Sequence, residues 1–141
     1  VRKATSKDLT QITKLLKKTF AFAWKETGRV FDEKFVGTNI RKGMEQDIAL
    51  VEERNGTVIC FGWAKHNKDF FGNRFGEIKL LLVDPAFQQK GIGSKLLKKM
   101  EKELEATDIR LNCLATNKAL GVYKRTGFKE FIKTLRKTEL D

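Results

Sequence analysis

The feature of this chain best suited to chemistry is a glycine turn set between an apolar run and a helical pattern. Gly91-Ile92-Gly93-Ser94 follows an apolar run ending in Leu82-Val83-Asp84-Pro85 and precedes a helical pattern. At such a junction the N–H groups of a helix start converge on an anion, and glycines let it approach closely. A dinucleotide fingerprint would need a third Gly or Ala where Leu96 stands, and a Walker loop would need Gly-Lys-Ser/Thr where Gly93-Ser94-Lys95 stands. Nucleophilic and metal chemistry have less support. Cys60 and Cys113 lie far apart in apolar runs and His66 is the lone histidine, so no spacing matches a zinc site, a disulfide framework or a Ser-His-Asp triad. No metal is expected.

The charge balance narrows the partners. With 29 Lys and Arg against 18 Asp and Glu, the 141 residues carry a net +11. Such a field attracts polyanions, whether nucleic acid, an acidic lipid surface or a phosphorylated cofactor. The longest near-apolar stretch, Val58 to Ala64, is far short of the ~18 residues that span a bilayer. A charged N-terminus does not resemble a signal peptide, so a cytoplasmic location with no membrane partner is expected.

These groups need elements to hold them. No linker or repeat interrupts the chain, which reads as one domain over residues 1–141. Val1 to Ala4 is a short strand. Ser6 or Asp8 caps a helix with Leu9, Ile12, Leu15, Leu16 and Phe20 on one face, ended by Gly28, and a second helix covers Phe31 to Met44. Asn55-Gly56 joins strands Ile48 to Glu53 and Thr57 to Ala64 as a type I′ hairpin. Asp69 to Gly76 reads as a loop and Glu77 to Val83 as a buried strand whose alternation puts Glu77 on one face with Lys79, Leu81 and Val83. A helix opens after Gly91-Ile92-Gly93, with Leu96, Leu97, Met100 and Leu104 buried. Ile109 to Ala115 is a further strand, Asn117 caps a short helix ending at Gly127, and Phe128 begins a last strand.

Two separated blocks resemble one family. Gln88-x-x-Gly91-x-Gly93 behind the apolar strand is similar to the acyl-CoA pyrophosphate loop of the GCN5-related N-acetyltransferase (GNAT) superfamily. Asn117-x-Ala119-x-x-x-Tyr123-x-x-x-Gly127-Phe128 resembles a second segment of that family, with one residue fewer between Asn and Ala. The preceding order of strand, two helices and hairpin is also the family's. The resemblance implies an α/β (α+β) single-domain GNAT-like fold: a central mixed, mostly antiparallel sheet of about six strands flanked by about four helices.

It also implies roles. Acetyl-CoA would be the co-substrate, with Leu81, Leu82 and Val83 beside the pantetheine arm and thioester. Gln88, Gln89, Lys90, Gly91, Ile92, Gly93 and Ser94 would form the pyrophosphate turn, and Asn117, Tyr123 and Lys124 would lie along the cofactor's other side. Tyr123 matches the position whose phenol protonates the departing thiolate, and Glu77 matches the general base of the superfamily's histone acetyltransferases. Where the ribosomal-protein N-terminal acetyltransferases place their base, this chain has Asn112, which cannot take a proton. The implied reaction is direct attack of a primary amine in a ternary complex, with a backbone N–H near Leu82 stabilising the oxyanion. Deprotonating a lysine-like amine at neutral pH costs ~4.6 kcal/mol, so a base, either Glu77 or a held water, is useful. The acceptor would lie by the first two helices and the loop before the cofactor strand, where Phe70-Phe71-Gly72-Asn73-Arg74-Phe75 is available to line a pocket.

A different class stays open: a non-catalytic CoA-binding module, or a basic nucleic-acid-associated one, with the same fold. Few residues follow Phe128, so the last strand is absent, fused into one, or supplied by the partner in a homodimer.

Overall fold

A computed structural model describes residues 1–139. The chain runs β1 (Arg2–Lys3), a 3-10 turn (Ser6–Asp8), α1 (Leu9–Thr27), α2 (Glu33–Gln46), β2 (Ile48–Arg54), β3 (Thr57–Lys68), β4 (Arg74–Val83), a 3-10 turn (Pro85–Phe87), α3 (Ile92–Leu104), β5 (Ile109–Leu111) and α4 (Ala119–Arg125). The strands lie side by side in sequence order, antiparallel except for the parallel β4–β5 pair.

Local chemistry sets the ends of these elements. Asp8 accepts from the Thr5 N–H at 2.8 Å and is gripped by Arg2 at 2.9 Å, which anchors the start of α1. The Arg2 hydrogen bond holds the Asp8 carboxyl below the usual carboxylate range against the opposing effect of burial. Gly28 closes α1 with φ of 65°, and Asp32 caps α2 by accepting from the Phe35 N–H at 3.0 Å. Asn55 and Gly56 both take positive φ, 53° and 77°, as the expected type I′ turn requires.

The sheet separates two cores. Ile12, Leu15, Ile40, Met44, Val51, Phe61 and Leu82 pack with α1 and α2 on one face. Ile59, Cys60, Ile78, Leu96, Leu97, Met100 and Tyr123 pack with α3 and α4 on the other. Close approach is built in at Gly62, where an added Cβ would stand 2.6 Å from the Met100 sulfur.

Several boundaries differ from those expected. β3 and β4 are longer, pairing to Lys68↔Arg74, so the loop shrinks to residues 69–73. The added pairs come from Lys65 to Lys68, polar residues whose strand state is set by the partner strand and not by apolar alternation. α3 starts at Ile92, within the glycine turn, and β5 stops at Leu111. The expected strand from Phe128 is not formed over residues 128–139, and its last two positions lie outside the described residues, so the sheet has five strands where about six were anticipated. Phe131, Ile132 and Leu135, whose spacing suggested a strand, are 70%, 73% and 90% exposed and find no ladder to join.

Candidate active site

The site is a gap in the sheet. β4 and β5 pair only at Gly76↔Ile109, Glu77↔Arg110 and Ile78↔Leu111. Beyond Leu111 the chain leaves the sheet while β4 runs on to Val83, which opens the β4 edge from Lys79 to Val83. Asp84 N–H donates to Ile59 O at 2.8 Å. By the alternation of an antiparallel ladder, the N–H and C=O of Leu82 then face β3, and those of Leu81 and Val83 face the gap. The available N–H groups therefore flank Leu82 and are not Leu82's own. Gln88 confirms the direction, since its Nε2 donates to Val83 O at 3.0 Å.

At the open end of β4 stands the glycine turn. Gln89 and Gly91 take φ of 64° and 78°, which swings the chain sharply into α3. Gly91 is the N-cap and offers no side chain, so the N–H groups of Ile92, Gly93 and Ser94 at the helix start have no capping side chain. Gly93 brings that start against the strand: a Cβ there would meet Val83 Cγ2 at 3.1 Å. The Ile92 side chain is buried among α3 core residues, so only its backbone is free to bind. Lys90 and Arg54 both lie over the Phe87 ring, at 5.6 and 5.5 Å, placing two cations beside the turn. A diphosphate is suited to such a cradle of backbone donors, helix dipole and nearby cations.

Asn117 and Tyr123 sit on the α3/α4 side. Asn117 Oδ1 accepts from the Ala119 N–H at 2.9 Å and starts α4, the capping role its type suggested. α4 carries Tyr123 into the core next to Ile78 and Leu97, edge-to-face with Phe128 at 6.0 Å between centroids. Tyr123 is 8% exposed, and burial pushes its phenol up to about 12, with Cys113 and Cys60 adding to the effect. The hydroxyl has no hydrogen-bond partner among the described residues. No sealed side-chain oxygen lacks a partner, so this one opens outward. Lys124 is exposed one residue further along. Cys113 is half-buried, and burial raises its thiol and that of Cys60, the latter to about 12, which leaves neither as a thiolate nucleophile at neutral pH.

Glu77 is where simple alternation fails. Trp63 pairs with Leu80 but Ala64 pairs with Ile78, so Lys79 is an extra residue, a β-bulge. Ile78 thereby joins Leu81 and Val83 on the α3/α4 face, and Glu77 points to the α1/α2 face. The expectation that Glu77 shares a face with Leu81 and Val83 is corrected by this bulge. Its carboxylate, 16% exposed, accepts from Asn67 Nδ2 at 3.0 Å and lies 3.8 Å from Lys79 Nζ. Lys79 in turn lies over the Trp63 ring, which donates to Asp47 at 3.0 Å.

Sequence reasoning missed the struts around the gap. Lys18 of α1 reaches Asp84 at 3.1 Å, and Glu26 of the same helix accepts from Thr116 at 2.8 Å. Burial alone would raise the Asp84 carboxyl, but the Ala86 N–H and Lys18 outweigh it and hold it below the usual range. Nothing in the spacing marks these pairs, which join residues remote in sequence. The expectation for Phe70 and Phe71 also changes. They sit on the loop at the far end of β4 from the glycine turn and line no pocket beside it.

The fold is shared with known acetyltransferases. A mutant protein from Bacillus halodurans superimposes with a TM-score of 0.87 at 18% identity, over 99% of this chain and 98% of that one. An aminoglycoside 6'-N-acetyltransferase from Acinetobacter haemolyticus gives 0.77 at 15% identity, over 99% and 97%. Residues 45–130, which include the β4 edge, the glycine turn and Tyr123, match the acetyltransferase (GNAT) domain. This chain belongs to the GNAT acetyltransferase family. It is 32% identical over 117 residues to a mycothiol acetyltransferase of Amycolatopsis mediterranei, covering 77% of this chain and 39% of that protein. The chain thus spans about two fifths of the length of that curated relative, and 31% of a second.

Proposed function

We propose that this chain transfers an acetyl group from acetyl-CoA to a primary amine by direct attack in a ternary complex. What supports the reading is the open Leu81 and Val83 backbone beside the uncapped start of α3, with Tyr123 in the core cluster against which Leu81 and Val83 pack. Acetyl-CoA supplies the activated thioester. The N–H groups of Ile92, Gly93 and Ser94 suit its diphosphate, with Gln89, Lys90 and Gly91 shaping the turn, and the β4 edge suits the amide-bearing arm.

The bulge gives acid and base opposite sides of the sheet. Glu77, on the α1/α2 face, takes a proton from the incoming ammonium, directly or through a water. The Leu81 and Val83 N–H groups point where charge develops on the carbonyl oxygen as the C–N bond forms. Tyr123, on the α3/α4 face and protonated at neutral pH, gives its proton to the sulfur as the C–S bond breaks. The nitrogen gives its second proton to water as the tetrahedral adduct collapses, so the amine is left acetylated and CoA leaves as the thiol; Glu77 then releases its proton to water and the Tyr123 phenolate takes one back.

The test is thiol release from acetyl-CoA across a panel of amines. Release that requires an amine is expected. Binding of acetyl-CoA with no release for any amine would replace the transferase with a CoA-binding module.

A further inference from the structure

The far end of β4 carries a feature that acetyl transfer does not use. Phe70 and Phe71 form the tip of the β3–β4 hairpin, 95% and 83% exposed, with their rings edge-to-face at 5.2 Å. Their exposure is fixed by the loop. Asp69 Oδ1 accepts from the Phe71 and Asn73 N–H groups, both at 3.0 Å, and Asp69 N–H donates to Asn73 O at 2.9 Å. Asp69 Oδ2 is held by Arg110 at 3.2 Å, which also engages Asp108 at 2.8 Å. Arg110 offsets one of the two charges of Asp69 and Asp108, while Lys68 and Arg74, paired across the hairpin just below the tip, enter no ion pair among the described residues. Arg110 also lies over the exposed Phe131 ring at 4.7 Å, which ties that ring to the same junction.

We propose that this tip docks on an anionic phospholipid surface, the two phenylalanines entering the headgroup boundary and Lys68 and Arg74 meeting lipid phosphates. A rigid convex apolar wedge with a basic collar matches what an acidic bilayer offers. A second copy of the chain would bring like charges together on a molecule of net +11. The two rings stand edge-to-face and not as parallel platforms, and the groove that Lys68 and Arg74 line below them also holds Glu105, which disfavours a nucleic-acid strand there. The expectation of no membrane partner rests on the lack of a long apolar stretch, which a tip lying in the interface does not need. No helix among the described residues is long and apolar enough to cross a membrane. The ten residues of β4 extend ~30 Å, so docking at this end leaves the glycine turn turned away from the lipid.

Sedimentation with vesicles tests the proposal, using phosphatidylcholine alone and phosphatidylcholine mixed with phosphatidylglycerol. Binding is expected only to the mixed vesicles, weakening with salt. Phe70→Ser with Phe71→Ser, and separately Lys68→Glu with Arg74→Glu, should each weaken it about tenfold or more with the melting temperature unchanged. Absence of binding to the mixed vesicles at low salt overturns the proposal. So does equal binding by both double variants, or a wild-type dimer in sedimentation velocity that the phenylalanine variant abolishes. Tighter binding of the wild type to a single-stranded oligonucleotide than to the vesicles, lost in the same variant, overturns it as well.

Discussion

The two ends of β4 are built in opposite ways. At its N-terminal end the strand is zipped to β5, and Arg110 locks the junction, lying over Phe75 at 4.2 Å and gripping Asp69 and Asp108. At its C-terminal end the ladder to β5 is gone, and what is left open is backbone amides and a bare helix start, with one phenol buried behind them. Side chains satisfy one another at the first end, while at the second they leave the main chain unsatisfied. A site for a diphosphate and an amide-bearing arm needs unsatisfied main chain, and it can be kept open only if the other end of the strand is held.

The sharpest break of this contrast is Tyr123→Phe. Loss of the hydroxyl should lower turnover about 100-fold while acetyl-CoA affinity and melting temperature stay near wild type. Equal loss of turnover and affinity would make Tyr123 a packing residue like those at the zipped end. Glu77 lies near the boundary between the two ends, and Glu77→Gln should lower turnover about tenfold and remove the acidic limb of the pH–rate profile. An unchanged profile would assign the proton to a held water. Arg110→Ala tests the closed end: it should lower the melting temperature by a few degrees and leave acetyl-CoA affinity in place. If affinity fell as much as stability, the ends would not be separable.

The smallest effect is expected at Lys18→Ala. Asp84 is held below its ordinary range in the folded chain, so its contribution to stability is complete above the unfolded carboxylate range and is lost as pH falls through the lowered folded value. Removing Lys18 withdraws part of that lowering, and acid unfolding should begin at a slightly higher pH. A midpoint that does not move would show that the Ala86 N–H alone accounts for it.

What the sequence revealed follows the same division. The glycine turn, the Asn117 cap and the Tyr123 position were legible because each depends on local backbone or on a fixed offset along one helix. Gly91 and Gly93 mark the turn, since φ of 78° at Gly91 and the 3.1 Å approach of a Cβ at Gly93 to Val83 both favour glycine. The bulge at Lys79 was not legible. It inserts one residue by mismatching two strands, and the run Ile78 to Val83 looks the same in either register. Glu77 lies on β4 as expected, but on the opposite face. The Arg110 cluster was equally hidden, because Asp69 and Phe75 meet Arg110 only through the parallel pairing of β4 with β5. The last strand was overcalled from apolar residues that, in the absence of a neighbouring ladder, stay exposed.

α1 touches both lips of the gap, Lys18 at the end of β4 and Glu26 at the loop that follows β5. Those residues are eight apart, and a helix rises ~1.5 Å per residue, so a strut of ~12 Å fixes the separation of the two anchor points. Both contacts are solvent-exposed, so α1 bridges the two lips as a span and not as a clamp, and either contact can be lost without freeing the helix from the sheet.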